Sequence, residues 1–193
     1  MLAIPFQPHT MAHSAPPPVA PLDVADASWL EAMEAACFGS GLPTAAEAEM
    51  RLAGSAWHDE AEAEGHLLRA FALAPEHPAT HIGLYRFYFY RNRLEESLAV
   101  GLRCLAFAAR LNGFASDWQL VRAGEAEFGD FAAVLPRFYL FTLKGCAYLS
   151  LRLGRFDQGA ALLDKLAELD STDKLGGSVL KRILDRMGED DDE

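Results

Sequence analysis

The sequence predicts an all-α fold: helical hairpins stacked side by side, with a C-terminal capping helix over the open end. Three observations predict it. Side-chain capping signals recur through the first half, at Ser28-Trp29-Leu30-Glu31, Thr44-Ala45-Ala46-Glu47 and Asp59-Glu60-Ala61-Glu62. Apolar residues elsewhere return at the three- and four-residue spacing of one helix face. Residues 136–170 read as two helices folded back on one another across a tight turn at Gly154-Arg155, and helices joined so closely must pack antiparallel.

Residues 1–27 carry six of the ten prolines and no Lys or Arg, which predicts an unfolded, partly polyproline-II lead. The Ser28 signal opens a short helix that stops at Gly39. The Thr44 signal opens one that reaches about Trp57, and the Asp59 signal one that runs to Ala74. Pro78 suits the first turn of an aromatic helix extending to Arg91, because its fixed φ is helical and its missing N–H has no partner there. After a turn at Asn92-Arg93, residues 94–111 form its partner, ended by Asn112-Gly113.

Residues 113–135 break the rhythm with Gly113, Gly124 and Gly129 and read as an inserted loop with a short helix over 117–122. Trp118, Phe128 and Phe131 predict that the loop is pinned to the helices. Pro136 then opens the next helix, in which Phe138, Phe141, Leu143, Cys146, Ala147 and Leu149 mark the apolar face. Ala160, Leu163, Leu166 and Leu169 mark the face of its partner, and the small residues Gly145, Ala147, Gly159 and Ala160 let the two backbones approach. A last helix carries Leu175, Val179, Leu180, Ile183, Leu184 and Met187 on one face and stops at Gly188. The expected organisation is a lead (1–27), one helical domain (28–187) and an acidic tail (188–193).

At 193 residues and 51% apolar content the chain can bury one good core. A net charge of −11 argues against nucleic acid, since phosphate binding needs a surplus of cations. No basic start precedes an apolar core, so no secretory leader is expected, and arginines interrupt every apolar run before it could span a bilayer. Cys37, Cys104 and Cys146 are widely spaced on apolar faces and predict buried reduced thiols in a cytoplasmic protein.

Ala147, Gly154, Phe156 and the Leu163…Leu166 pair resemble a tetratricopeptide repeat. Leu84, Tyr85, Tyr88, Leu94, Leu98 and Cys104 resemble an earlier copy, and Ala63, Leu67, Ala70 and Pro75 the second helix of a third. Gly159 and Ser97 depart from the pattern, standing where the repeat usually has alanine. The resemblance implies a helical solenoid and a binding groove lined by the first helix of each pair. More broadly, YRFYFYRNRLEESL, the mid-chain Asp-Trp, PRFYLFTLKGCAYLSLRLGRF and DRMGEDD resemble small tetratricopeptide-type proteins encoded among bacterial nitrogen-fixation genes. That likeness implies a cytoplasmic accessory factor for assembling a metalloenzyme, with no chemistry of its own.

Placed on the repeat's geometry, Arg86, Phe89, Tyr90, Lys144, Tyr148 and Arg152 would line the groove and bind an acidic or amphipathic protein segment. Arginine supplies charge-assisted bonds and the rings amphipathic area. Charge is distributed accordingly: residues 47–76 are acidic, whereas residues 81–155 carry nine Arg and Lys144 against six acids. A competing reading takes the histidines of residues 58–81 as metal ligands, since His58, Glu62 and His66 share one helix face, with His77 and His81 beside Pro78. No Cys pair assists them, and no nucleophile motif or phosphate-cradling glycine loop is present, so neither catalysis nor a cofactor is predicted.

Overall fold

A computed structural model describes residues 41–130 and 132–190, with side chains described up to residue 186. The proline-rich lead, the Ser28 capping signal, Cys37, Gly39, Phe131 and residues 191–193 lie outside it. Among the described residues there are seven α-helices and no strand. They are α1 (Thr44–Ser55), α2 (Glu60–Leu73), α3 (Pro78–Tyr90), α4 (Leu94–Asn112), α5 (Val134–Arg152), α6 (Phe156–Leu169) and α7 (Gly177–Asp190). Successive helices pair into hairpins α1/α2, α3/α4 and α5/α6; each hairpin packs on the next, and α7 lies on α6 and α5.

Local chemistry explains most boundaries. Asp59 caps α2, its Oδ1 accepting from the Glu62 amide at 3.0 Å. Pro78 occupies the first turn of α3, after His77. Asn92 takes a positive φ of 57° in the α3/α4 turn, and Gly113 and Gly154 close α4 and α5 in the left-handed region at 73° and 71°. A side chain is disfavoured at such a φ, which is why glycine stands at two of these three positions.

Four boundaries depart from the sequence reading. Thr44 lies inside α1 and makes no cap bond; Pro43 is the cap, and its carbonyl receives the first helical amide, from Glu47, at 3.0 Å. α5 begins at Val134, two residues before Pro136. Proline is tolerated there for the reason it is tolerated at the first position, because first-turn amides have no intrahelical acceptor. Leu175 precedes α7, held by its amide bonding to Asp170 Oδ2 at 2.8 Å, and α7 continues past Gly188 to Asp190.

The core divides in two. A smaller cluster (Ala53, Ala63, Leu67, Leu84, Phe87, Tyr88, Val100) joins the first hairpin to the second. The larger one runs from α4 through α6 around Tyr139, Leu143, Cys146, Leu162 and Leu166. Tyr85 packs against both and so links them. Each fully buried Leu or Phe contributes about 1.5–3 kcal/mol, so the larger cluster dominates stability. Inserted residues 114, 121 and 128 are buried within it. Phe114, Phe128 and Tyr139 form a ring triangle with centroids 5.4–6.4 Å apart. Lys165, itself buried, donates to the Val121 carbonyl at 3.0 Å and to Glu168 at 2.6 Å, tying the insert to α6.

Candidate functional site

The C-terminal halves of α3 and α5 approach through aromatic side chains. α3 carries the run YRFYFY, and rings at positions 85 and 89 stack on one another at 6.1 Å because they lie one helical turn apart. Phe89 then meets Tyr148 of α5 at 6.1 Å and Tyr90 edge-on at 5.6 Å. Tyr85 crosses to α5 at its small residue: a Cβ on Gly145 would lie 2.9 Å from the Tyr85 hydroxyl oxygen. Burial pushes the Tyr85 hydroxyl pKa far above its usual range.

On α5, one turn past Tyr148, Arg152 donates from Nη1 to the Tyr148 hydroxyl at 2.9 Å and lies 5.8 Å from that ring's centroid. Phe89, Tyr90, Tyr148 and Arg152 therefore make one continuous cluster. They are unequally accessible: Tyr90 is 65% exposed and Arg152 half-buried, whereas Tyr148 is only 3% exposed and acts as the floor. Lys144 sits eight residues before Arg152, about 12 Å along the helix, and donates to the Leu175 carbonyl at 2.6 Å, where the chain approaches α7. Arg86 lies half-buried on α3, one turn before Tyr90.

Ion pairing divides the cations, and Arg103, Arg122, Arg182 and Arg186, like Lys144 and Arg152, have no carboxylate within ion-pair distance among the described residues. Arg69 pairs with Glu49 at 2.9 Å, Arg93 with Glu64 at 2.6 Å, Arg110 with Glu76 at 2.8 Å, Arg155 with Glu95 at 2.5 Å and Lys181 with Asp164 at 2.5 Å. The hydrogen bond from Arg93 holds the Glu64 carboxyl below its ordinary pKa. Lys144 and Arg152, by contrast, bond to a carbonyl and a hydroxyl. Neither has a carboxylate within ion-pair distance among the described residues. Lys144 feels the field of Asp173, whose carboxylate accepts from the Ser178 hydroxyl at 2.5 Å. Arg152, with no carboxylate at ion-pair distance and joined through Tyr148 and Phe89 to the exposed Tyr90 ring, suits a carboxylate-bearing segment.

The histidines of residues 58–81 do not converge. His58 is exposed, and His66 Nδ1 meets Glu49 at 2.7 Å. His77 caps α3, accepting from the Ala79 amide at 3.3 Å. His81 is buried against Phe107, centroids 5.0 Å apart, with Nε2 on the Pro75 carbonyl at 2.8 Å. No group of three or more His, Cys, Asp or Glu among the described residues is placed to hold a metal ion. Cys104 and Cys146 are buried between α4 and α5, and burial raises the Cys146 thiol well above its usual pKa, which keeps it protonated and unreactive.

Sequence reasoning placed Tyr85 among the repeat positions and Gly145 between α5 and α6, whereas Gly145 faces α3, where the Tyr85 ring fills the space it leaves and links both cores. It missed Lys165, because a lysine on an amphipathic helix reads as solvated until its carbonyl partner is located.

Among the described residues no helix is long and apolar enough to cross a membrane. No family model matches the chain, and no solved structure matches it. It is 42% identical, over 126 residues, to the "Uncharacterized 19.8 kDa protein in nifW 5'region" of Azotobacter chroococcum mcd 1, a match covering 65% of this chain and 71% of the relative.

Proposed function

The chain belongs to the family of that Azotobacter protein, and on this footing we propose that it is a tetratricopeptide-like adapter whose groove binds an acidic or amphipathic protein segment. The helices over residues 44–190 make up the adapter domain, and the acidic run that starts at Glu189 begins within its last helix. The observation that carries the reading is the Arg152–Tyr148–Phe89–Tyr90 cluster, a cation with no carboxylate next to an exposed ring. Arg86 and Lys144 extend the same surface along α3 and α5. The relative's name, which places it in the 5′ region of nifW, supports a role as a cytoplasmic accessory factor in assembling the nitrogen-fixation metalloenzyme.

The probe is a labelled amphipathic helical peptide with one face of Glu and one of Leu, titrated by fluorescence anisotropy at 50 mM salt. Arg152→Glu is expected to weaken binding at least tenfold, and Tyr90→Ala severalfold. A mutated exposed arginine elsewhere, Arg51→Glu, should have little effect. Equal affinity of wild type and Arg152→Glu would refute the reading.

A further inference from the structure

Tyr148 holds a donor that no described group receives. Its hydroxyl oxygen accepts from Arg152 Nη1 at 2.9 Å, but a phenol carries a proton of its own as well as lone pairs. Among the described residues no acceptor takes that proton. Arg152, held over the same ring, spends one N–H on the bond and keeps the others. Phenol and guanidinium lie one helical turn apart on α5, so both sets of donors open at one place. Phe89 covers the Tyr148 ring, which is only 3% exposed, and half-buried Arg152 marks where the hydroxyl edge meets the surface. A buried donor without an acceptor is costly, so the pair gains from an acceptor brought to it.

The surroundings explain why the proton stays unspent. Phe89, the ring packed on Tyr148, offers no oxygen, and Lys144, one turn earlier on α5, is itself a donor. Charge then decides what can fill the place. Among the described residues Arg152 is the one cation in contact with Tyr148. Arg155, just beyond the Gly154 turn, is committed to Glu95 at 2.5 Å, and Lys144 stands about 12 Å back along the helix. One positive charge and two donor groups match a carboxylate, a monoanion with two acceptor oxygens. A phosphate dianion would keep part of its charge unbalanced beside apolar rings, where that is costly. An amide has one acceptor oxygen, and its NH2 would face other donors.

We infer that Tyr148 donates to the partner, and that Tyr148 and Arg152 together receive a single side-chain carboxylate, which makes Tyr148 the residue that selects acid over amide in this groove. This role rests on the adapter reading above and deepens it: the acidic segment is held by one anchoring Glu or Asp and not by diffuse charge alone. Phe89 and Tyr90 form a collar that keeps water from the anchor and strengthens its charged bonds. Diffuse attraction would ignore the phenol proton, whereas a seated carboxylate depends on it.

The test uses the full chain and Tyr148→Phe, which keeps the ring and the net charge and removes the proton. The labelled Glu/Leu peptide at 50 mM salt should bind Tyr148→Phe about tenfold more weakly, the loss of one hydrogen bond to a charged group. A counterpart with Gln in place of Glu should bind both forms equally weakly, and one with phosphoserine in place of Glu should bind wild type less tightly than the Glu/Leu peptide. Independently, the Tyr148 Cζ resonance, assigned by its loss in Tyr148→Phe, should move with the Glu/Leu peptide along the same saturation curve as the anisotropy. Four results overturn the role of Tyr148 and leave the adapter reading standing. They are unchanged affinity of Tyr148→Phe for a Glu/Leu peptide that binds wild type, equal losses for the Glu and Gln peptides, tighter binding of the phosphoserine peptide, and a stationary Tyr148 resonance. Equal affinity of wild type and Arg152→Glu, or no binding to wild type, removes the adapter reading and the role of Tyr148 with it.

Discussion

Filling the space at Gly145 tests how α3 meets α5. Alanine there adds a Cβ 2.9 Å from the Tyr85 hydroxyl oxygen and 3.6 Å from Cζ, so the hydroxyl is the sole tight contact. The ring cannot easily retreat, being stacked on Phe89 and lying about as close to Gly101, where a Cβ would be 3.5 Å from Cε2. Overpacking of this kind costs about 1–3 kcal/mol, against a gain of about 1 kcal/mol from replacing glycine within a helix. Gly145→Ala should therefore destabilise by about 1 kcal/mol in the native background. With Tyr85→Phe the close oxygen is gone, the remaining 3.6 Å contact is ordinary, and the same substitution should stabilise by about 1 kcal/mol. The expected coupling is about 2 kcal/mol, read from urea midpoints at constant slope by tryptophan fluorescence. In melting temperature it corresponds to about 4–8 °C for a chain of this size. Additivity within about 0.5 kcal/mol would refute the close approach of the two helices at this point.

Two further outcomes follow from buried polar groups. Burial holds His81 below the usual imidazole pKa, outweighing its bond to the Pro75 carbonyl, with Arg103 and Arg110 adding to the depression and Glu76 opposing it. The unfolded chain then binds the proton first, so stability is whole above an unfolded value of about 6.5 and declines as pH falls below it. Urea midpoints between pH 7.5 and 5 should fall less steeply in His81→Gln than in wild type; identical slopes would exclude His81 as the cause. Lys165→Met should cost about 1–3 kcal/mol by leaving the buried Val121 carbonyl without its donor. Limited proteolysis should then cut within residues 113–135 sooner than in wild type, and unaltered cleavage would show that the ring triangle alone holds the insert.

The all-helical architecture was legible because its signals are local. A capping Asp59, a Pro78 in the first turn and glycines after α4 and α5 each act within a few residues, and periodicity reports one face at a time. The misread boundaries are local competitions with close alternatives: Pro43 against Thr44 as cap, or a proline at the first against the third helical position. The site was half legible. The ring-and-arginine composition of α3 and α5 could be seen, and Phe89, Tyr90, Tyr148 and Arg152 do meet. Their differing accessibility could not be seen, since Tyr148 and Tyr90 present the same chemistry in sequence and differ only in what packs over them.

By itself the sequence determined helices, turns, hairpin order and the uneven spread of charge, because backbone preference and amphipathic spacing are properties of contiguous residues. The tertiary structure alone decided that Tyr85 bridges two cores, that Lys165 anchors a loop forty-four residues distant, and which cations find a carboxylate. Those outcomes depend on distances between helices remote in the chain, and neither periodicity nor composition encodes a distance.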